Sequence, residues 1–317
     1  MQRTQSIVLG VVAAVALVII GFLLVSGGSD APPGATGSPS AGPTDGEPAD
    51  ASASASPDLS AELLDRRWTV LFVGLDTDST RESRGEPVNG DALMLVSVSA
   101  DQSEVALISI PRDMVDVPLS DGEIYGGKVN ALYADRGLDG LVAAIGSLTG
   151  VPIDGYLALN MDDFAALVDG VGGVEVSPSV AIDDPLARID IEAGTQVIDG
   201  STAEGYVRTR FDQDYGRMRR QQEVILEIVS GLVDPERDLD VRSLIDGLDS
   251  LDTDLPLDDL ATLLEIARRS TDAQVRSLII EPPLITCEGD RDDGRGYVLE
   301  PDVEAIREAV RDLIGEG

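Results

Sequence analysis

The amino-acid sequence predicts an α/β layered domain, and three observations carry that prediction. Trp68 to Leu75, WTVLFVGL, is a nearly continuous apolar run, the pattern of a strand buried on both faces of a covered sheet. Two further strand-length apolar runs follow within forty residues, at 92–98 (ALMLVSV) and 105–110 (VALISI), separated by the turn SADQSE. Beyond them, stretches with helical spacing alternate with short apolar runs to the end of the chain, and strands interleaved with helices build layered α/β domains.

The remaining elements follow in order. Residues 138–148, LDGLVAAIGSL, have helical spacing and stop at Gly150 and Pro152, a glycine-then-proline boundary. Tyr156 to Leu159 reads as a short strand, Met161 to Val168 as a helix ending in GVGG, and Val174 to Val176 as another strand. Around 202–210 helix and extended chain are equally compatible with the pattern. From Met218 onward, apolar residues at 218, 224, 225, 228 and 229 predict a long helix. Helices are expected over Leu244–Leu248 and Leu260–Ile266, with acidic N-terminal flanks that suit the helix dipole. A strand is expected over Val275–Ile280 and a last helix over Val303–Ile314.

N-terminal to the domain, residues 7–25 form an uncharged run of nineteen apolar or small residues. As a helix it would rise about 28 Å, close to the hydrocarbon thickness of a bilayer. Arg3 before it and Asp30 after it favour a cytoplasmic tail over residues 1–6 and an extracellular bulk. Residues 26–61, rich in Gly, Pro, Ser and Ala, read as a disordered linker, and 62–317 as the extracellular domain. The expected location is therefore the cell membrane, by a single pass.

Composition excludes several chemistries. The chain has 58 acidic and 23 basic residues, a formal net charge of -35 and no histidine. Absent histidine removes Ser-His and Cys-His catalysis and every His-ligated metal site. The acidic excess argues against nucleic acid as a partner. Cys287, the single cysteine, follows an apolar strand-like stretch and is expected to be a buried, inert thiol.

Against that charge, five arginines fall between positions 208 and 220: Arg208, Arg210, Arg217, Arg219 and Arg220. Two readings stand. They offset nearby Asp212, Asp214 and Glu223 as surface ion pairs worth little, or they clamp a multiply charged anion, since the guanidinium fork matches phosphate oxygens. Asp76 lies just past the first strand, Asp91 opens the second and Arg112 follows the third. Arg217 and Gln221 are four apart and share one helical face. Ligands of α/β sheets gather where strands end, and two carboxylates beside arginines suit Mg²⁺ bridging a diphosphate. Without histidine, Asp91 is the preferred general base. The segments LVAAIGSL and MDDFAALV read either as the lining of an apolar pocket or as ordinary core.

The stretches LFVGLD (71–76), GDALMLVSV (90–98), ALISIPRD (106–113), KVNALYADRG (128–137), GVPIDGYLALNMDDFAALVDGVGGVEV (150–176) and YVRTRFDQDYGRMRRQQ (206–222) resemble the LytR-CpsA-Psr family of extracytoplasmic cell-wall assembly enzymes. The resemblance implies a three-layer α/β/α fold with a central mixed sheet and a deep apolar pocket for a polyprenyl chain. It also implies transfer of a glycopolymer from a polyprenyl-diphosphate carrier to peptidoglycan or a related wall acceptor, leaving a phosphodiester link. By position it makes Asp76 and Asp91 the Mg²⁺ ligands, and Arg112, Lys128, Arg208, Arg210, Arg217 and Gln221 the diphosphate binders. Arg112 and Arg210 are then the expected catalytic cations beside Asp91. Two other outcomes stay open: a polyprenyl-diphosphate-binding regulatory protein, and a diphosphate hydrolase. One departure bears on them. The family pattern has an arginine two positions before the second aspartate, where this chain has Asn89, and Arg81 or Arg84 in the preceding loop is the candidate replacement.

Overall fold

The computed structural model describes residues 59–315, apart from 86, 235, 248–250 and 257–258. The expected membrane span at 7–25, and the linker up to residue 58, lie outside the described residues. Among the described residues, no helix is long and apolar enough to cross a membrane.

Six strands make one mixed sheet: β1 (Trp68–Leu75), β2 (Gly90–Val98), β3 (Glu104–Ile110), β4 (Gly155–Leu159), β5 (Asp252–Thr253) and β6 (Gln274–Ile279), in spatial order β5-β4-β1-β2-β3-β6. β1 runs antiparallel to β2 and parallel to β4, and β6 runs parallel to β3. Alternation along each strand divides the core between two faces. Leu71, Val73 and Leu75 pack with Leu95 and Ile108 beneath α1 (Leu132–Thr149) and the C-terminal helix Val303–Ile314. Val70 and Phe72 pack with Met94, Val96 and Leu107 on the opposite face.

That opposite face carries the rest of the helical layer: α2 (Met161–Gly170), α3 (Gly200–Arg208), α4 (Gln213–Val233), α5 (Val241–Asp246) and α6 (Leu260–Arg269). Ile225 of α4 and Leu263 and Ile266 of α6 meet the sheet there. A satellite core joins α2 through α5 to two small ribbons, Val174–Val176 with Gln196–Ile198 and Ile182–Asp184 with Ile189–Ile191. The result is the three-layer α/β/α arrangement around a mixed sheet.

Local chemistry explains where the elements begin and end. Asn160 caps α2, its side chain accepting from the Asp163 amide at 2.9 Å, and Asp199 caps α3 by accepting from the Thr202 amide at 2.8 Å. The segment 202–210, open in the sequence, is helical to Arg208 and extended at Thr209. α1 starts six residues before the expected 138, because a kink at Gly137 (φ 70°) joins a first turn anchored by buried Leu132 to the periodic part. α4 starts five residues before Met218, with a polar first turn, QDYG.

One expectation is corrected outright. Cys287 is exposed, because the chain leaves the sheet after β6 and pairs Ile285–Arg291 with Gly296–Pro301 as a separate two-stranded ribbon. Its Sγ lies 3.3 Å from an Arg291 guanidinium nitrogen. One equivalent of a thiol reagent is expected to react with the folded protein. Reaction only after denaturation would restore the buried thiol.

Candidate functional site

The ends of β1, β2 and β3 and the α3–α4 elbow enclose a cavity of about 350 Å³. Its wall is apolar, formed by Phe72 and Met94 of the sheet, Leu157 and Leu159 of β4, Phe164 of α2 and Ile225 of α4. Gly74 and Ala92 face each other at the mouth, and a Cβ on Gly74 would lie 2.9 Å from that of Ala92. Small residues there keep the opening free. Of the two apolar segments singled out in the sequence, MDDFAALV supplies Met161 and Phe164 to the lining. LVAAIGSL does not, because α1 packs on the other face of the sheet.

Asp76, Asp91, Arg112, Arg208, Arg210, Arg217 and Gln221 all line this one cavity. Arg112 pairs with the Asp91 carboxylate through Nη1, and Asn130 Nδ2 donates to the other Asp91 oxygen at 3.0 Å. Arg217, with a side chain only 5% exposed, donates to the Asp91 carbonyl at 3.2 Å and pairs with Asp214 at 2.9 Å. Arg208 and Arg210 are about half exposed: Arg208 pairs with Glu204 at 2.6 Å and lies 3.8 Å from Asp76, and Arg210 lies 3.7 Å from Asp214. Partial burial, and then the neighbouring Arg217 charge, lower the pKa of the Arg210 guanidinium. The Asp214 and Asp76 carboxylates oppose that shift. The Nε atoms of Arg112 and Arg217 are buried with no hydrogen-bond partner among the described residues.

Lys128 does not line the cavity. Its ammonium pairs with Asp113 at 2.7 Å, and Asp113 in turn lies 3.7 Å from Arg112 Nε, so Lys128 stands one carboxylate away from the mouth. Of the two loop arginines, Arg81 reaches the site, with Nη1 2.9 Å from an Asp76 carboxylate oxygen. Arg219 and Arg220 point elsewhere: Arg219 pairs with Glu281 at 2.7 Å on the surface, and Arg220 is buried on Asp212 and backbone carbonyls.

Sequence reasoning misses Asn130 and Asp214, the groups that hold Asp91 and the Arg210–Arg217 pair. In the sequence Asp214 reads only as a surface counter-ion. Also missed is Asp184, which lines the cavity and whose carboxyl is held below its usual pKa by the Thr209 hydroxyl. For a cation, the site offers the two carboxylates Asp76 and Asp91. Among the described residues no group of three or more acidic side chains is placed to hold a metal. Each of the two is already paired with an arginine, Asp76 with Arg81 and Asp91 with Arg112.

The LytR_cpsA_psr family model matches residues 44–311. The chain belongs to the LytR-CpsA-Psr family of cell-wall glycopolymer transferases. A family relative, biofilm regulatory protein A of Streptococcus mutans, is 31% identical over 183 residues, covering 53% of this chain and 45% of its own length. A teichoic acid transferase, TagU of Halalkalibacterium halodurans, is 28% identical over 249 residues, covering 76% of each chain. This chain spans between 32% and 45% of the length of the first three relatives it matches. Among solved LytR-CpsA-Psr structures, TagT with bound octaprenyl pyrophosphate lipid superimposes with a TM-score of 0.57 at 21% identity, over 80% of this chain and 92% of that one. A Streptococcus agalactiae protein gives 0.65 at 21% identity, over 81% and 92%. At these identities the likeness to solved structures is one of fold.

Proposed function

We propose that the protein transfers a glycopolymer from a polyprenyl-diphosphate carrier to peptidoglycan or a related wall acceptor. The observation that carries this reading is the convergence of four arginines, from the end of β3 and both sides of the α3–α4 elbow, on the mouth of an apolar cavity in a chain of net charge -35. An apolar cavity with a cationic mouth fits an amphiphile whose head is a diphosphate. Relatives named teichoic acid transferases support the same substrate class.

The acceptor hydroxyl attacks the phosphorus that bears the glycan. A phosphodiester forms, the bond to the bridging oxygen breaks, and polyprenyl phosphate leaves. Arg112, Arg210 and Arg217 neutralise charge growing on the transferred and leaving phosphates. The hydroxyl proton passes to a carboxylate, for which Asp91 is best placed at the cavity mouth. Asp76 and Asp91 would hold a Mg²⁺ ion, whose chemistry is to neutralise diphosphate charge. Residues 7–25 would anchor the chain in the membrane and 26–61 tether the domain outside the cell.

Incubating the protein with a polyprenyl-diphosphate-linked glycan, a wall acceptor and Mg²⁺ is expected to yield glycan covalently bound to the acceptor. Binding without product would favour a regulatory protein, and polyprenyl phosphate released without acceptor a hydrolase.

Arg81 supplies the charge that Asn89 lacks. Arg81→Ala is therefore expected to slow transfer on the order of tenfold to a hundredfold, the worth of a charged hydrogen bond, and adding Asn89→Arg to it to recover most of the loss. Full activity in Arg81→Ala would sink this assignment.

A further inference from the structure

The ribbon of Ile285–Arg291 and Gly296–Pro301 takes no part in the chemistry above, yet it is fastened to both segments that carry mouth cations. On one side the Leu299 amide donates to the Asp113 carbonyl at 3.1 Å, and the Val115 amide donates to the Leu299 carbonyl at 3.0 Å. The ribbon thus grips the chain directly after Arg112. On the other side the Tyr215 hydroxyl donates to Glu288 at 3.0 Å, from a position two residues before Arg217 on α4. The Arg219–Glu281 pair ties the same helix to the chain just before the ribbon. The ribbon is held as a rim on the Arg112–Arg217 side of the site.

That rim carries a particular set of groups. Tyr297 stands opposite Asp290 in the ribbon register, and Leu299 opposite Glu288. Tyr297 is 45% exposed, and its hydroxyl has no hydrogen-bond partner among the described residues. Burial, and then the charges of Glu288, Asp113, Asp214 and Asp290, raise the pKa of its phenol. Tyr297 lies two residues before Leu299, whose amide holds the Asp113 carbonyl next to Arg112, and stands across the ribbon from Asp290, two residues from the Glu288 that Tyr215 bonds. The Tyr215 phenol is likewise raised, by burial and then by the Glu288 bond.

An anionic polymer or phosphate would be repelled by Glu288 and Asp290, and a lipid chain would leave those carboxylates unsolvated. A sugar ring suits both parts: its C–H face packs on an aromatic ring while its hydroxyls donate to carboxylates. We propose that Tyr297, Tyr215 and Glu288 form a carbohydrate subsite on the rim, holding a pyranose beside the bound diphosphate. It rests on the transfer reading for the place of the diphosphate. The sugar belongs either to the glycan carried on the lipid or to the wall acceptor.

The test uses the full chain in detergent and calorimetric binding of three ligands: octaprenyl diphosphate without sugar, the same lipid bearing its glycan, and a soluble wall oligosaccharide. Tyr297→Ala and Glu288→Gln are expected to weaken a sugar-bearing ligand about tenfold, the worth of an aromatic contact. Binding of bare octaprenyl diphosphate and Tm should stay as in the wild type, and Tyr297→Phe should retain sugar binding. Loss confined to the lipid-linked glycan assigns the donor sugar, and loss confined to the oligosaccharide the acceptor sugar. Unaltered binding of both sugar ligands overturns the subsite and leaves the transfer reading standing. Failure of the wild type to bind bare octaprenyl diphosphate overturns the head-group reading instead, while the oligosaccharide still reads the subsite.

Discussion

Replacing Arg112 by alanine is expected to lower glycan transfer by about 10²–10³-fold, the usual loss when one fixed donor to a charged transition state is removed. The protein should stay nearly as stable. Arg112 leaves the end of β3 with its fork against Asp91, but Asp91 keeps the Asn130 amide at 3.0 Å when the guanidinium is gone. Its Nε is buried without a hydrogen-bond partner among the described residues, so truncation removes an unsatisfied donor along with a satisfied one. These terms offset, and the net cost should be about 1 kcal/mol, a shift of a few degrees in Tm for a domain of this size. Arg112→Lys keeps the charge without the planar fork and should recover only part of the rate. Initial rates set beside thermal melts check this. A large fall in Tm with kcat/KM unaltered would make Arg112 a strut and empty the catalytic assignment.

Much of this site can be read in the sequence because its parts lie at the ends of strongly patterned elements. β1, β2 and β3 are largely apolar, so the apolar pattern alone marks Asp76, Asp91 and Arg112 as residues at strand ends. The Val303–Ile314 helix has a clean amphipathic period and is legible to the residue. What fails to read is polar or glycine-rich. The first turn of α4, QDYG, carries no apolar period, so Asp214 looks like a surface counter-ion when it is the residue that holds Arg210 and Arg217. The ribbon from Ile285 to Pro301 carries seven charged residues among seventeen, with Gly289, Gly294 and Gly296 at positive φ. No hydrophobic alternation announces its pairing, and for that reason the sequence misplaces Cys287 in the core and gives no sign of the Tyr297 rim. Which face of the sheet a helix covers is a tertiary fact. LVAAIGSL and MDDFAALV are therefore equivalent candidates by pattern, and only the placement of α1 and α2 on opposite sides separates them.

Arg220→Ala should do the reverse of Arg112→Ala, costing about 3–5 kcal/mol of stability, as expected when one partner of a buried charge network is removed. Arg220 is 6% exposed. Its Nε donates to the Tyr206 carbonyl at 2.8 Å and its Nη2 to the Thr209 carbonyl at 2.5 Å. Its Nη1 spans both Asp212 oxygens, at 2.6 and 2.7 Å, while the guanidinium lies 4.9 Å from the Phe211 ring centre. These bonds close the last turn of α3 onto α4 and fix the break at Thr209 that sets Arg208, ending the helix, beside Arg210. Without them the carbonyls lose their donors in a place that solvent reaches poorly. The melting temperature should fall by roughly 10 °C, with transfer lost as the elbow loosens. Arg220→Lys should recover little, because one ammonium cannot reach three directions at fixed angles. Arg219→Ala, next to it in sequence, breaks only a half-exposed pair with Glu281 and should lie within about 0.5 kcal/mol of the wild type. Denaturant unfolding of the three variants separates these outcomes. If Arg220→Ala unfolds like the wild type while transfer disappears, Arg220 belongs with the anion binders. The division of labour in which buried Arg220 shapes the elbow, and half-exposed Arg208 and Arg210 await the phosphates, would then be wrong.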